Sequence, residues 1–202
     1  MNAVESEITI WNGKVWGGGN RKLGMWLFIL SDSLTFAALL LSYVYLRAAS
    51  DVWPTPFSFS PQILFASLMT LCLLVSSWTM AKAVSASSRG QQSTQSKWML
   101  ATIVAGLGFI LLHLMEWNHL FGEGLRVFSV PAAWGADASP LFGAVFFTIT
   151  GFHLLHVLSG LIYLGITAMR RRSTHEAVEL CGLYWQFVDA VWLLMFFAVY
   201  LF

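Results

Sequence analysis

Five stretches of this chain are long and apolar enough to cross a lipid bilayer, and no other feature constrains its fold as strongly. Crossing a hydrocarbon core takes about twenty consecutive, mostly apolar residues in a helix. Leu23–Leu46, Pro61–Val84, Trp98–Leu120, Leu141–Met169 and Cys181–Phe202 meet that requirement. Lipid offers backbone N–H and C=O groups no water to bond, so a segment of this kind satisfies them internally as an α-helix. The expectation is an all-α integral membrane bundle, with residues 23–202 as one five-helix domain behind an amino-terminal segment, 1–22. Composition agrees: 57% of the 202 residues are apolar and 10% charged, against roughly 25% charged in an average soluble domain.

The connections read as loops by their turn chemistry: Trp53, Pro54 and Pro56 in the first, Ser85 to Ser96 in the second, Phe121 to Pro140 in the third, Arg170 to Glu179 in the fourth. Basic loops stay on the cytoplasmic side of a membrane, which orients the bundle. Lys14, Arg21, Lys22, Lys82, Arg89, Lys97, Arg170, Arg171 and Arg172 fall on one side, and only Arg47 and Arg126 on the other. The amino terminus is therefore expected inside and the carboxyl terminus outside, with 1–22 as a cytoplasmic segment. That segment carries Glu5, Glu7, Lys14 and three glycines at Gly17, Gly18 and Gly19, and lacks the apolar core of a signal peptide. Trp16, Trp53, Trp98, Trp117 and Trp134 lie near span ends, as in an interfacial belt, or serve ordinary packing. A net charge of +1 argues against a nucleic-acid partner, which calls for a concentrated basic face.

The informative residues are those that lipid excludes. An acidic side chain at the centre of a span costs roughly 2.5–3.5 kcal/mol on insertion scales. Asp32 lies about 13 Å into the first span at about 1.5 Å per residue, and Asp189 enters the fifth from the same side to a similar depth. His153 and His156, three apart on the fourth span, share a helix face and reach about mid-membrane. The third span adds His113, Glu116 and His119 near its outer end. These groups fit either a proton relay or cofactor site, or a set of buried contacts that fix helix packing. Metal or haem binding within the chain is disfavoured: His113 and His153 are offset in depth, and Glu116 with His119 supplies only one of the Glu-x-x-His pairs a membrane di-iron site uses.

Several motifs then resemble one family. TGFHLLHVLSG (Thr150 to Gly160) is similar to the TGFHGLHV motif of subunit III of haem-copper respiratory oxidases. YWQFVDAVWLLMFFAVY (Tyr184 to Tyr200) is similar to that family's YWHFVDVVWL segment. GMWLFILSDSLTF (Gly24 to Phe36) matches the pattern GMxLFIxSE with Asp32 in the place of glutamate. LLHLMEW matches a Gln-x-x-Glu pattern with His113 in the glutamine place, and VWPTP resembles the family's WPP connection. The resemblance runs from about Leu23 to the end. Gln186 departs from it, standing where the family has histidine, so a role that rests on an imidazole there does not carry over. The chain also begins at what would be the third helix of the seven-helix form, which leaves the lipid-holding cleft of that form incomplete unless another chain supplies two helices.

What the resemblance implies is a subunit without a redox centre. Haem and copper would sit in partner subunits I and II, where electron entry and the reduction of oxygen to water occur. This chain would pack on the catalytic subunit, hold structural phospholipid and support proton uptake, in the bacterial cytoplasmic (inner) membrane. Asp32, Glu116, His153, His156 and Asp189 are the expected polar framework, and Arg170 the expected contact to a lipid phosphate. No catalytic, cofactor-binding or metal residue is assigned. Competing readings are the related accessory subunit of a nitric oxide reductase, a free-standing metal-dependent membrane enzyme using His113, Glu116 and His119, and a proton channel. Whether the electron donor is cytochrome c or quinol is not readable, since the SD of Asp32 is closer to quinol oxidases and TGFH to the cytochrome c type.

The orientation yields a direct test. A reporter fused after Phe202 is expected on the outer side and one inserted in the Ser85 to Ser96 loop on the inner side. The opposite labelling pattern would overturn the orientation.

Overall fold

The computed structural model describes residues 19–54, 62–131, 134, 138–170 and 174–201. Lys14, Trp16, Pro56, Pro61, Arg171, Arg172, Phe202 and most of the amino-terminal segment lie outside the described residues. Five helices carry the fold: α1 Gly19–Ala49, α2 Gln62–Ser88, α3 Gln92–Gly122, α4 Leu141–Met169 and α5 His175–Met195. The last continues as a π-helical turn, Phe196–Leu201. All five are long and apolar enough to span a membrane. No strand occurs among the described residues beyond one isolated bridge between Arg126 and Ser129.

The helices outrun the apolar stretches. α3 starts at Gln92 rather than Trp98, α5 at His175 rather than Cys181, and α1 at Gly19 rather than Leu23. Hydrophobicity marks only the part of a helix facing hydrocarbon, whereas the hydrogen-bond ladder continues into the polar interface. At about 1.5 Å per residue, the 31 residues of α1 or α3 extend about 46 Å, well beyond a hydrocarbon core of about 30 Å.

Helix ends stop for identifiable reasons. Gly90 (φ +70°) follows α2, its N–H bonding Ser87 O at 3.0 Å while Gln91 N–H bonds Ala86 O at 3.0 Å. That pair is a Schellman ending, and it uses the left-handed conformation glycine adopts without penalty. Gly124 (φ +94°) closes α3 in the same way, with Gly124 N to Phe121 O at 3.1 Å and Leu125 N to Leu120 O at 3.0 Å. Thr174 caps α5, its side chain accepting from Ala177 N at 3.3 Å.

α5 holds the bundle together, packing against α1, α2 and α4, while α2 pairs with α3 and α3 with α4. Its central side chain is Trp185, fully buried. A Cβ on Gly106 of α3 would come within 2.8 Å of the indole, and one on Gly160 of α4 within 2.9 Å. The ring thus fills the space two glycines leave open. Its Nε1–H donates to Ser76 Oγ of α2 at 2.9 Å, so one residue of α5 engages three other helices. Two turns on, buried Trp192 donates from Nε1 to Thr70 Oγ1 of α2 at 3.0 Å. Thr79 and Thr102 add a buried hydroxyl pair at 2.9 Å between α2 and α3.

This wedge predicts which glycines tolerate a side chain. Gly106→Val and Gly160→Val should each destabilise the chain by about 1–3 kcal/mol through overpacking. Gly165→Ala, where an added Cβ meets nothing within 4 Å, should be neutral or slightly stabilising. Denaturation of the purified chain in mild detergent measures all three, and equal midpoints would remove the wedge from the account.

Candidate functional site

Among the buried acids and histidines of the spans and their partners are two pairs, with His113 beside the second, and two lone groups, His153 and Asp189. The first pair joins α1 to α4. His156 Nε2 lies 3.1 Å from Asp32 Oδ2, and both side chains are nearly excluded from the surface. On the other edge of the ring, His156 Nδ1 lies 2.7 Å from the carbonyl oxygen of Phe152. A carbonyl only accepts, so Nδ1 carries a hydrogen and donates it. A neutral ring with Nδ1–H would turn a bare Nε2 lone pair toward the carboxylate. Nε2 and Oδ2 are thus in close contact without an aligned hydrogen bond. Phe36 and Phe152 wall the imidazole, with ring centroids at 5.2 and 4.7 Å. One turn on, Tyr184 of α5 donates to the carbonyl of His156 at 3.2 Å and lies 2.7 Å from Ser159 Oγ. The pair is thereby anchored to a third helix.

The second pair joins α3 to the end of α5. Tyr200 donates its hydroxyl to Glu116 Oε2 at 2.9 Å, both residues being buried. His113 Nδ1 is 3.9 Å from the same oxygen. Tyr200 belongs to the π-helical turn. In an α-helix successive residues advance by 100°, and the wider π turn re-aims those that follow, here delivering the phenol to Glu116.

The expected framework is thus brought together only in part. Asp32 meets His156 but not His153, although the two histidines are one turn apart. His153 is fully buried among aromatic rings, Trp192 at 5.4 Å, Phe109 at 5.8 Å and Phe36 at 6.3 Å, and neither ring nitrogen has a hydrogen-bond partner among the described residues. Asp189 is buried on α5, turned toward Ser77 of α2 without an aligned hydrogen bond. The third-span run also divides. His113 and Glu116 face inward, whereas His119 is exposed and pairs with Glu123 at 3.3 Å. Arg170 sits exposed just past α4 in extended backbone. Tyr200, Trp185 and Trp192, which organise these pairs, carry no charge, and charge in lipid was the signal that singled out the others.

Among the described residues no three His, Cys, Asp or Glu side chains gather in a way that would hold a metal ion. Cys72 and Cys181 are free thiols. What the geometry can do is hold helices together through buried polar contacts.

Comparison with known proteins follows the same line. The sequence pattern of cytochrome c oxidase subunit III matches residues 12–202. Subunit 3 of the cytochrome c oxidase of Synechocystis sp. is 30% identical over 188 residues, covering 90% of this chain and 75% of that protein. Subunit 3 of the cytochrome bo(3) ubiquinol oxidase of Pseudomonas putida is 31% identical, covering 89% and 84%. Subunit 3 of the cytochrome c oxidase of Bacillus subtilis is 31% identical, covering 91% and 87%.

The second pair can be tested alone. Tyr200→Phe removes one hydroxyl and leaves a buried carboxyl oxygen without its donor, which costs about 1–3 kcal/mol. Tyr45→Phe, at a residue 72% exposed, is expected to change stability by less than about 0.5 kcal/mol. Unfolding of the two variants in the same detergent decides, and indistinguishable midpoints would show that the Tyr200 bond contributes nothing.

Proposed function

The chain belongs to the cytochrome c oxidase subunit III family, and from that premise we propose a role as a scaffold subunit that keeps the catalytic core of its oxidase intact during turnover. Its five membrane-spanning helices make it an integral protein of the bacterial cytoplasmic membrane, and its family consists of subunits of multi-subunit respiratory oxidases. In this reading subunits I and II hold the haem and copper and perform oxygen reduction. This chain packs on subunit I, holds structural phospholipid with Arg170 at the headgroup level, and supports proton uptake by the core.

The observation that carries the reading is the cross-bracing of ionisable groups between helices. Asp32 is tied to His156 across α1 and α4, and Glu116 to Tyr200 across α3 and the end of α5. Acids placed in this way join helices. A rigid bundle offers its partner a fixed face. Binding to a partner then costs little ordering entropy, which is the advantage of a preorganised surface. His153 and Asp189 complete the buried polar set.

The role predicts a delayed defect. Asp32→Ala should leave the haem spectrum and initial rate of the oxidase nearly unchanged, because in this reading the redox centres lie in subunits I and II. The variant also leaves His156 without its partner. Leaving a buried polar group unsatisfied costs about 1–3 kcal/mol, enough to loosen the subunit. A progress curve of oxygen consumption is then expected to begin normally and to lose activity faster than wild type, most strongly at alkaline pH where protons are scarce. Immediate loss of the haem spectrum would refute the proposal, as would wild-type persistence of activity after the subunit has dissociated.

A further inference from the structure

One helix face of the α2–α3 hairpin combines cations that no carboxylate matches among the described residues with exposed Trp78, half-buried Trp98 and exposed leucines, and none of the buried pairs uses it. Trp78, Lys82, Ser85 and Arg89 follow one another at helical spacing along α2, and all four are exposed. Lys82 Nζ lies over the Trp78 ring at 5.4 Å from its centroid. The Trp78 ring stands perpendicular to Trp98 of α3 at 5.3 Å, and Trp78 remains 56% exposed. Arg89 donates from Nη2 to Ser85 Oγ at 2.9 Å and from Nε to the Ser85 carbonyl at 3.2 Å. These bonds draw the guanidinium back along the helix toward Lys82.

Charge accounting separates these cations, together with exposed Lys97 at the start of α3, from those where α1 and α5 begin. At the same end of the bundle, where α1 and α5 begin, Lys22 is paired with Glu179 and Arg21 lies 3.9 Å from Glu176. Lys82 and Arg89 have no carboxylate partner among the described residues, and the indole face gives Lys82 a π cloud but no hydrogen-bond acceptor. The depth is also specific. α2 has 27 residues, about 40 Å at about 1.5 Å per residue, so each end extends about 5 Å beyond a hydrocarbon core of about 30 Å. Lys82, six residues before Ser88, then lies near the edge of the core, within reach of the headgroup layer by its own stem. Toward the membrane centre the same helix presents exposed Leu71, Leu74 and Val75, and α3 presents Leu100 and Val104.

The geometry points to a binding site for an anionic phospholipid on this face, its phosphate between Lys82 and Arg89 and its acyl chains along the leucines below the Trp78–Trp98 corner. Cations above a hydrocarbon-like wall match an amphiphile, whereas a soluble anion would use only the upper half. The site is separate from Arg170, which lies in the α4–α5 connection. It does not depend on the proposed scaffold role, only on α2 and α3 crossing a membrane.

The test is lipid retention by the full chain in mixed micelles with phosphatidylglycerol or phosphatidylcholine, read by native mass spectrometry. Phosphatidylglycerol is expected to be retained at least about tenfold more strongly, and Lys82→Gln with Arg89→Gln to lower that retention about tenfold or more, as removal of two interfacial cations implies. The control Arg21→Gln with Lys22→Gln, at cations already paired, should retain the lipid as the parent does. Equal retention of the two lipids would overturn the site, and so would unchanged retention by the Lys82 and Arg89 variant. Displacement of the lipid by millimolar inorganic phosphate would reassign the face to a soluble anion. Protection of Lys82 from acetylation in the lipid-stripped oxidase complex would show that a protein partner covers it, and would equally refute the proposal.

Discussion

The arrangement of this bundle depends on the seating of one indole. Trp185 occupies a slot whose walls are the backbones of two other helices, at Gly106 and Gly160, and its N–H reaches a hydroxyl on a third. Within a membrane, apolar burial gives helices little reason to associate, since lipid is as apolar as a leucine side chain. Close packing at small residues and interhelical hydrogen bonds take over. Trp185 supplies both at one point, and Trp192 repeats the indole-to-hydroxyl bond on the same two helices. With α5 locked to α2, the remaining contacts of α5 place α1 and α4 around it.

The polar pairs then form at positions this packing allows. Asp32 and His156 meet because α1 lies against α4 at their common depth, and the Phe152 carbonyl selects which ring nitrogen faces the acid. Glu116 finds a donor only because the last turn of α5 widens and carries Tyr200 inward. Each pair serves twice, bringing together groups that are expensive in lipid and joining helices far apart in sequence. Asp32 meets His156 and Glu116 meets Tyr200, while His153 and Asp189 stay buried without an aligned hydrogen bond.

The outer surface is not uniform. Most exposed positions on α2, α3 and α4 are leucine, isoleucine, valine or methionine, the chemistry of a lipid contact. The α2–α3 turn differs in carrying cations without acids, while the adjacent beginnings of α1 and α5 hold cation and acid together. Matched charges hold helix ends together, and unmatched ones at a membrane interface attract an anionic surface.

The sequence by itself determined the number of helices, which ionisable groups fall within the spans, and the family. Each of these rests on local information: twenty apolar residues suffice to make a span, a charge among them stands out, and motifs such as Thr150 to Gly160 are contiguous. Even there the helix ends exceeded the apolar stretches, because a backbone ladder does not stop where hydrocarbon does. Only the tertiary structure decided which ionisable groups meet. His153 and His156 look equivalent as neighbours on one face. The angle of about 60° between residues three apart on a helix nevertheless turns one toward Asp32 on α1 and the other into the aromatic interior. The seating of Trp185 and the widened turn at Tyr200 were not legible either, since a tryptophan and a tyrosine in an apolar span look like ordinary packing until the order of the helices is known. That order comes from side-chain fit between segments more than a hundred residues apart, such as Ser76 and Trp185, and no local pattern in the chain records it.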